Sequence, residues 1–214
     1  MILVGQYDSP FVRRIAVALH WYGRAFRRNT QSVFADADAM RRINPLGRIP
    51  SLILDDGEVL VDSFAIQDFL DEDAAPDRRL TPKNGPERRH VLRLSAMAAG
   101  AADKAGAIVY ERTLRPPEKQ FDPWIARCSV QLASALTHLD VQKGGPWLGG
   151  ERLSQADIMA GCLIGYLRLR LPEAAPLGRY RGLDALHDRL QTCPEFAKTA
   201  PQSDEAMPAG LGGR

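Results

Sequence analysis

The sequence predicts a mixed α/β domain followed by an all-α domain. Two observations carry this. Short apolar runs alternate with segments of helical period up to about residue 76, and beyond about Glu87 the apolar residues recur every three or four positions. At 214 residues the chain has room for two domains and needs no staple to hold them together.

Ile2-Leu3-Val4 reads as a buried strand. Ser9-Pro10 then supplies an N-cap and a first-turn proline for a helix with Phe11, Ile15, Leu19 and Tyr22 on one face. A second extended stretch is expected within 25–34, and a short helix near Asp36 to Ile43. Leu52-Ile53-Leu54 and Val59-Leu60-Val61 flank Asp56-Gly57, a pair suited to a two-residue hairpin turn because both positions tolerate positive φ. Ser63 is placed to cap the next helix, which carries Ile66, Phe69 and Leu70. The order βαβα-ββα makes a small mixed sheet with helices on its faces.

The proline-rich, charged segment 77–86 is expected as a linker between a domain of residues 1–76 and one of residues 87–200. In the second domain, Val91, Leu94, Ala98, Ala101, Ala105 and Ile108 outline one long helix, and Trp124, Cys128, Leu132, Leu136 and Leu139 another. Ser154 with Asp157 three residues on forms a capping box, with Leu153 placed to staple onto Ile158. The glycine- and proline-rich residues 201–214 read as a flexible tail.

Composition narrows the function. With 28 basic and 26 acidic residues the formal charge is only +2, which gives no footprint for nucleic acid. The longest apolar run, Ile158 to Leu167, is too short to span a bilayer, so a cytoplasmic protein without membrane contact is expected. Cys128, Cys162 and Cys193 are odd in number and far apart, and the histidines are isolated, so neither disulfides nor a metal site is expected. Nucleophile elbows, phosphate loops and zinc-protease motifs are absent.

What remains are three segments in order: Ser9-Pro10-Phe11, then Asn44-Pro45-Leu46-Gly47-Arg48-Ile49-Pro50, then Asp62-Ser63. With the element order between them and the capping box from Leu153 to Ile158, they resemble the cytosolic glutathione transferase family over most of the chain. The resemblance implies a thioredoxin-like N-terminal domain and an all-helical C-terminal domain. It also implies glutathione as co-substrate without a metal, a homodimer, and conjugation of the thiolate to a small apolar electrophile bound between the domains. Ser9 matches the serine-type active site of tau-class members, with Tyr7 as the alternative because other classes use a tyrosine near the end of the first strand.

The family pattern further implies a cis peptide before Pro50 and pairing of the Ile49 backbone with the cysteinyl unit of glutathione. Asp62 would meet the γ-glutamyl ammonium, Ser63 the γ-glutamyl carboxylate, and Arg48 the glycyl carboxylate. The chemistry fits these residue types, because a thiol with pKa about 8.5 is only a few per cent ionised at neutral pH and needs a donor that favours the anion. Two other functions are compatible with the same motifs: a non-catalytic interaction protein like stringent starvation protein A, and a glutathione-dependent peroxidase or isomerase.

Overall fold

The computed structural model describes residues 1–142, 145–202 and 205. They form two compact units, one built from Met1–Lys83 together with 191–202 and 205, the other from the described residues of Asn84–Leu190.

In the first unit, β1 (Ile2–Val4) leads into α1 (Pro10–Trp21), capped by Ser9 with Pro10 in its first turn. The strand β2 (Arg27–Asn29) and the helix α2 (Ala37–Ile43) fall within the expected stretches. After them come β3 (Ser51–Ile53), β4 (Val59–Val61) and α3 (Ser63–Glu72). The strands form one sheet in the order β2-β1-β3-β4, with β1 parallel to β2 and antiparallel to β3, and β3 antiparallel to β4. Leu3, Val4, Val12, Ile15, Leu19, Leu52, Ile66 and Leu70 are buried between sheet and helices. This is the thioredoxin-like arrangement.

Two local expectations change. The hairpin loop holds three residues rather than two: Leu54 N–H pairs with the Glu58 carbonyl, Gly57 N–H turns back to the Leu54 carbonyl, and Gly57 alone takes positive φ (94°). Asp56 instead accepts from Glu58 N–H at 3.0 Å, the behaviour of a turn residue whose side chain replaces a backbone partner. The cap of α3 is Asp62, which accepts from Phe64 N–H at 2.8 Å, so Ser63 is the first helical residue rather than the cap.

The second unit is helical. The helix α4 (Gly85–Leu114) packs against both α5 (Asp122–Asp140) and α6 (Gln155–Arg170). The α6 residues are buried nearly all round, which fits the central position of that helix. Its capping box forms as expected: Ser154 N–H and Oγ–H donate to Asp157 Oδ2 at 2.9 and 2.6 Å, and Leu148 N–H donates to Oδ1 at 2.6 Å. Next, α7 (Arg181–Gln191) approaches α5 so closely that a side chain at Gly182 would collide with the Asp140 carbonyl.

The chain then rejoins the first unit. Residues 191–200, grouped by sequence with the helical domain, include α8 (Pro194–Ala197), whose Phe196 is fully buried against α1. The Arg13 guanidinium lies 4.0 Å from the Phe196 ring centroid and donates to its carbonyl. Glu205, within the span read as a flexible tail, is 3% exposed; the rest of 206–214, with 203–204, lies outside the described residues.

Candidate functional site

Register brings the three sequence motifs to one edge of the sheet. Val4, Ser51 and Val61 are level with one another across β1, β3 and β4. The chain leaves β1 there towards Tyr7–Ser9, enters β3 there from Ile49-Pro50, and leaves β4 there into Asp62-Ser63. Segments spread over more than fifty residues of sequence thus meet because an antiparallel pairing places the end of one strand beside the start of the next.

Ser9 is partly exposed and extended in backbone, and its Oγ accepts from Val12 N–H at 3.4 Å. That bond uses an oxygen lone pair; the hydroxyl proton has no acceptor among the described residues. The first turn of α1 carries no acidic residue, so the helix dipole there is unopposed from within the helix. Tyr7 differs. Its side chain is 3% exposed, and the Arg28 guanidinium lies 3.5 Å from its ring centroid. Burial raises the phenol pKa, with Arg28 working in the opposite direction, which makes Tyr7 a weaker acid than a free tyrosine.

The Ile49-Pro50 bond is cis. Asn44 holds the loop before it: its side chain accepts from Leu46 N–H at 3.0 Å and donates to the Arg48 carbonyl at 2.8 Å, and Gly47 takes φ of 59°. Neither the N–H nor the carbonyl of Ile49 is hydrogen-bonded among the described residues. Arg48 is exposed. Gly5 sets the other wall, since a Cβ there would lie 2.5 Å from Val12 and 3.0 Å from Ile49. Only glycine lets α1 and the Ile49 loop close in on the end of β1.

Asp62 stands at φ 70°, ψ 134°, an unfavourable conformation for a residue with a side chain. Behind it Ser63 is buried, and its Oγ accepts from Arg14 at 3.4 Å. The Ser63 N–H is not hydrogen-bonded among the described residues, so the first turn of α3 keeps a donor in reserve. The sequence assigns no role to Arg14, or to Asn44 at the head of the second segment. The signal for Arg14 was a charged pair inside an otherwise apolar helix, and for Asn44 the Asn-Pro dipeptide, which favours side-chain-capped turns.

Cys193 caps α8, and burial, helped by Glu195, pushes its thiol pKa up, away from a reactive thiolate. Among the described residues no group of His, Cys, Asp or Glu is placed to hold a metal ion, and no helix is long and apolar enough to cross a membrane. On α4, Val109 is buried and Tyr110 is exposed, while the Lys104 ammonium lies 5.9 Å from the Trp124 ring centroid.

Comparison with known proteins gives the family. Residues 3–79 match the family model for the glutathione S-transferase N-terminal domain, and residues 122–189 that for the C-terminal domain. A glutathione transferase family member from Pseudomonas fluorescens Pf-5, crystallised with bound glutathione, is 32% identical and superposes with a TM-score of 0.85 over 94% of this chain and 98% of that one. The uncharacterized GST-like protein YibF of Escherichia coli K12 is 28% identical over 94% of this chain and 98% of its own. Maleylacetoacetate isomerase of Pseudomonas aeruginosa PAO1 is 27% identical over 98% and 96% respectively. The chain belongs to the glutathione S-transferase family.

Proposed function

We propose that the protein is a glutathione transferase that conjugates the thiolate of glutathione to an apolar electrophile, acting in the cytoplasm as a homodimer. The observation that carries the reading is the state of Ser9: its oxygen is engaged by the helix it caps, and its proton has no acceptor among the described residues. Lowering a thiol pKa by about two units requires about 2.7 kcal/mol of preferential stabilisation of the anion. A hydrogen bond to a charged partner supplies about 1.5–3 kcal/mol, and a helix N-terminus about 0.3–1 kcal/mol. Together they reach the requirement. Ser9 is therefore read as a donor to the sulfur and not as a nucleophile. The burial of Tyr7 and its raised pKa favour Ser9 over it.

The remaining assignments follow the tripeptide. The N–H and carbonyl of Ile49, beside Pro50 and not hydrogen-bonded among the described residues, take the cysteinyl backbone. The start of α3 takes the γ-glutamyl end, with Ser63 at the carboxylate and Asp62 at the ammonium. Arg48, exposed next to Ile49, is assigned to the glycyl carboxylate.

A second reading, glutathione-dependent isomerisation, is favoured by the similarity to maleylacetoacetate isomerase over nearly the whole chain. It uses the same thiolate. Both are separated from a non-catalytic role by assaying the protein on immobilised glutathione, an aryl halide and maleylacetoacetate. The transferase reading expects retention on the resin, turnover of the halide, and a loss of about 10–100-fold in turnover with little change in binding for Ser9→Ala. Turnover of maleylacetoacetate alone favours the isomerase; retention without turnover of either favours an interaction protein.

A further inference from the structure

Glu205 is a carboxylate with 4% of its side chain exposed. A charge so buried needs partners: the Gln202 N–H of its own segment donates to Oε2 at 3.4 Å, and two further partners come from the edge of the sheet that carries the site. The Tyr7 N–H donates to Oε2 at 2.9 Å, and the Arg28 guanidinium of β2 forms an ion pair with Oε1. The same guanidinium covers the Tyr7 ring at 3.5 Å, so one cation clamps both the ring and the carboxylate that holds its backbone. Tyr7 stands two residues before Ser9, whose own N–H closes a turn on the Gln6 carbonyl at 3.2 Å. The tie therefore acts on the turn that ends in the hydroxyl donor.

We propose that Glu205 is a positioning residue for the thiolate site: with Arg28 it fixes the turn between Gly5 and Ser9, and so the direction in which the Ser9 hydroxyl points. The inference rests on the reading of Ser9 as the thiol's hydrogen-bond donor. The charged groups against the turn are Glu205 from the segment after α8 and Arg28 from β2, with Asp8 inside the turn itself. Glu205 and Arg28 neutralise one another, so the tie is made without adding net charge beside the sulfur.

The test is the pKa of the thiol of bound glutathione, read from thiolate absorbance across pH, in the wild type, Glu205→Ala, Glu205→Gln and Ser9→Ala. Deleting a negative charge would by itself lower that pKa, so a rise in Glu205→Ala reports lost geometry. A rise of about one unit is expected there, and none in Glu205→Gln, whose amide oxygen still accepts from Tyr7 N–H. Exchange of the Tyr7 amide proton is expected to quicken at least about tenfold in Glu205→Ala and much less in Glu205→Gln. Should Glu205→Ala not fold, Glu205→Asp, one methylene short, is expected to raise the pKa by a smaller step. A thiol that titrates at or below the wild-type pKa in the alanine variant (or in Glu205→Asp where that stands in), or an equal rise in the glutamine variant, overturns the inference while Ser9 still stands. An unaltered thiol in Ser9→Ala overturns the Ser9 reading and this inference with it.

Discussion

Arg14 of α1 donates to the Ser63 hydroxyl of α3 at 3.4 Å, and its guanidinium lies 4.6 Å from the ring centroid of the neighbouring Phe64. A cation 1% exposed thus stands directly behind the first turn of α3. Its charge adds to the dipole of that helix end, and both favour an anion in front of it. Asp62, at the same corner, carries the opposite sign and is exposed, which suits it to a cationic group of the same ligand.

Asp62 combines a helix cap with a strained backbone, and the two roles separate by substitution. Asp62→Asn keeps a side-chain oxygen for Phe64 N–H and tolerates positive φ, so stability is expected within about 0.5 kcal/mol of wild type. Loss of the charge is expected to raise the KM for glutathione about tenfold. Asp62→Ala should lose about 1 kcal/mol of stability as well. Urea denaturation and steady-state kinetics in parallel check both, and an unchanged KM in the asparagine variant removes Asp62 from the site.

Gly5 is the packing hinge of the edge. In Gly5→Ala the new Cβ falls 2.5 Å from Val12 and must hold φ near 128°. Overpacking and an unfavourable φ together are expected to cost about 2–4 kcal/mol in denaturant unfolding. The clash also pushes on Ile49 at 3.0 Å, so glutathione binding should weaken in the fraction that remains folded. A variant as stable as the wild type would mean that the helix is free to move away from β1.

Asp157 predicts a pH dependence. Burial raises its pKa to about 6, against the opposing hydrogen bonds from Ser154 and Leu148 N–H. A carboxyl whose folded pKa exceeds its unfolded value binds more protons in the folded state, so its contribution is fully present below about pH 4 and is lost as pH rises through about 6. With roughly two units between the states, the stability of the wild type relative to Asp157→Asn should fall by up to roughly 3 kcal/mol from pH 4 to pH 7. Asp157→Ala, which strands three buried donors, is expected to lose about 2–4 kcal/mol at pH 7. Thermal unfolding of the three proteins between pH 4 and pH 7 measures this, and a difference that does not change with pH contradicts it.

The sequence carried the site's ingredients better than its joints. Turn chemistry and apolar period were enough to place Ser9 at the start of α1 and Ile49-Pro50 before β3, because those signals are local. Asp62 and Ser63 are both good caps, and their order was decided by the path out of β4, where the chain needs a residue at positive φ before the helix can begin. The packing of Phe196 under Arg13 and the burial of Glu205 against Arg28 bring residues separated by more than 170 positions together. No periodicity could report them. An acidic residue among glycines and prolines reads as tail until its partner is known.

The central claim concerns one hydrogen bond, and the most direct measurement is the crystal structure of the protein with glutathione. The account predicts the sulfur about 3–3.4 Å from Ser9 Oγ, with the cysteinyl backbone paired to Ile49 and the γ-glutamyl carboxylate at the first turn of α3. A sulfur closer to the Tyr7 hydroxyl than to Ser9, or a corner that the tripeptide does not enter, would contradict it.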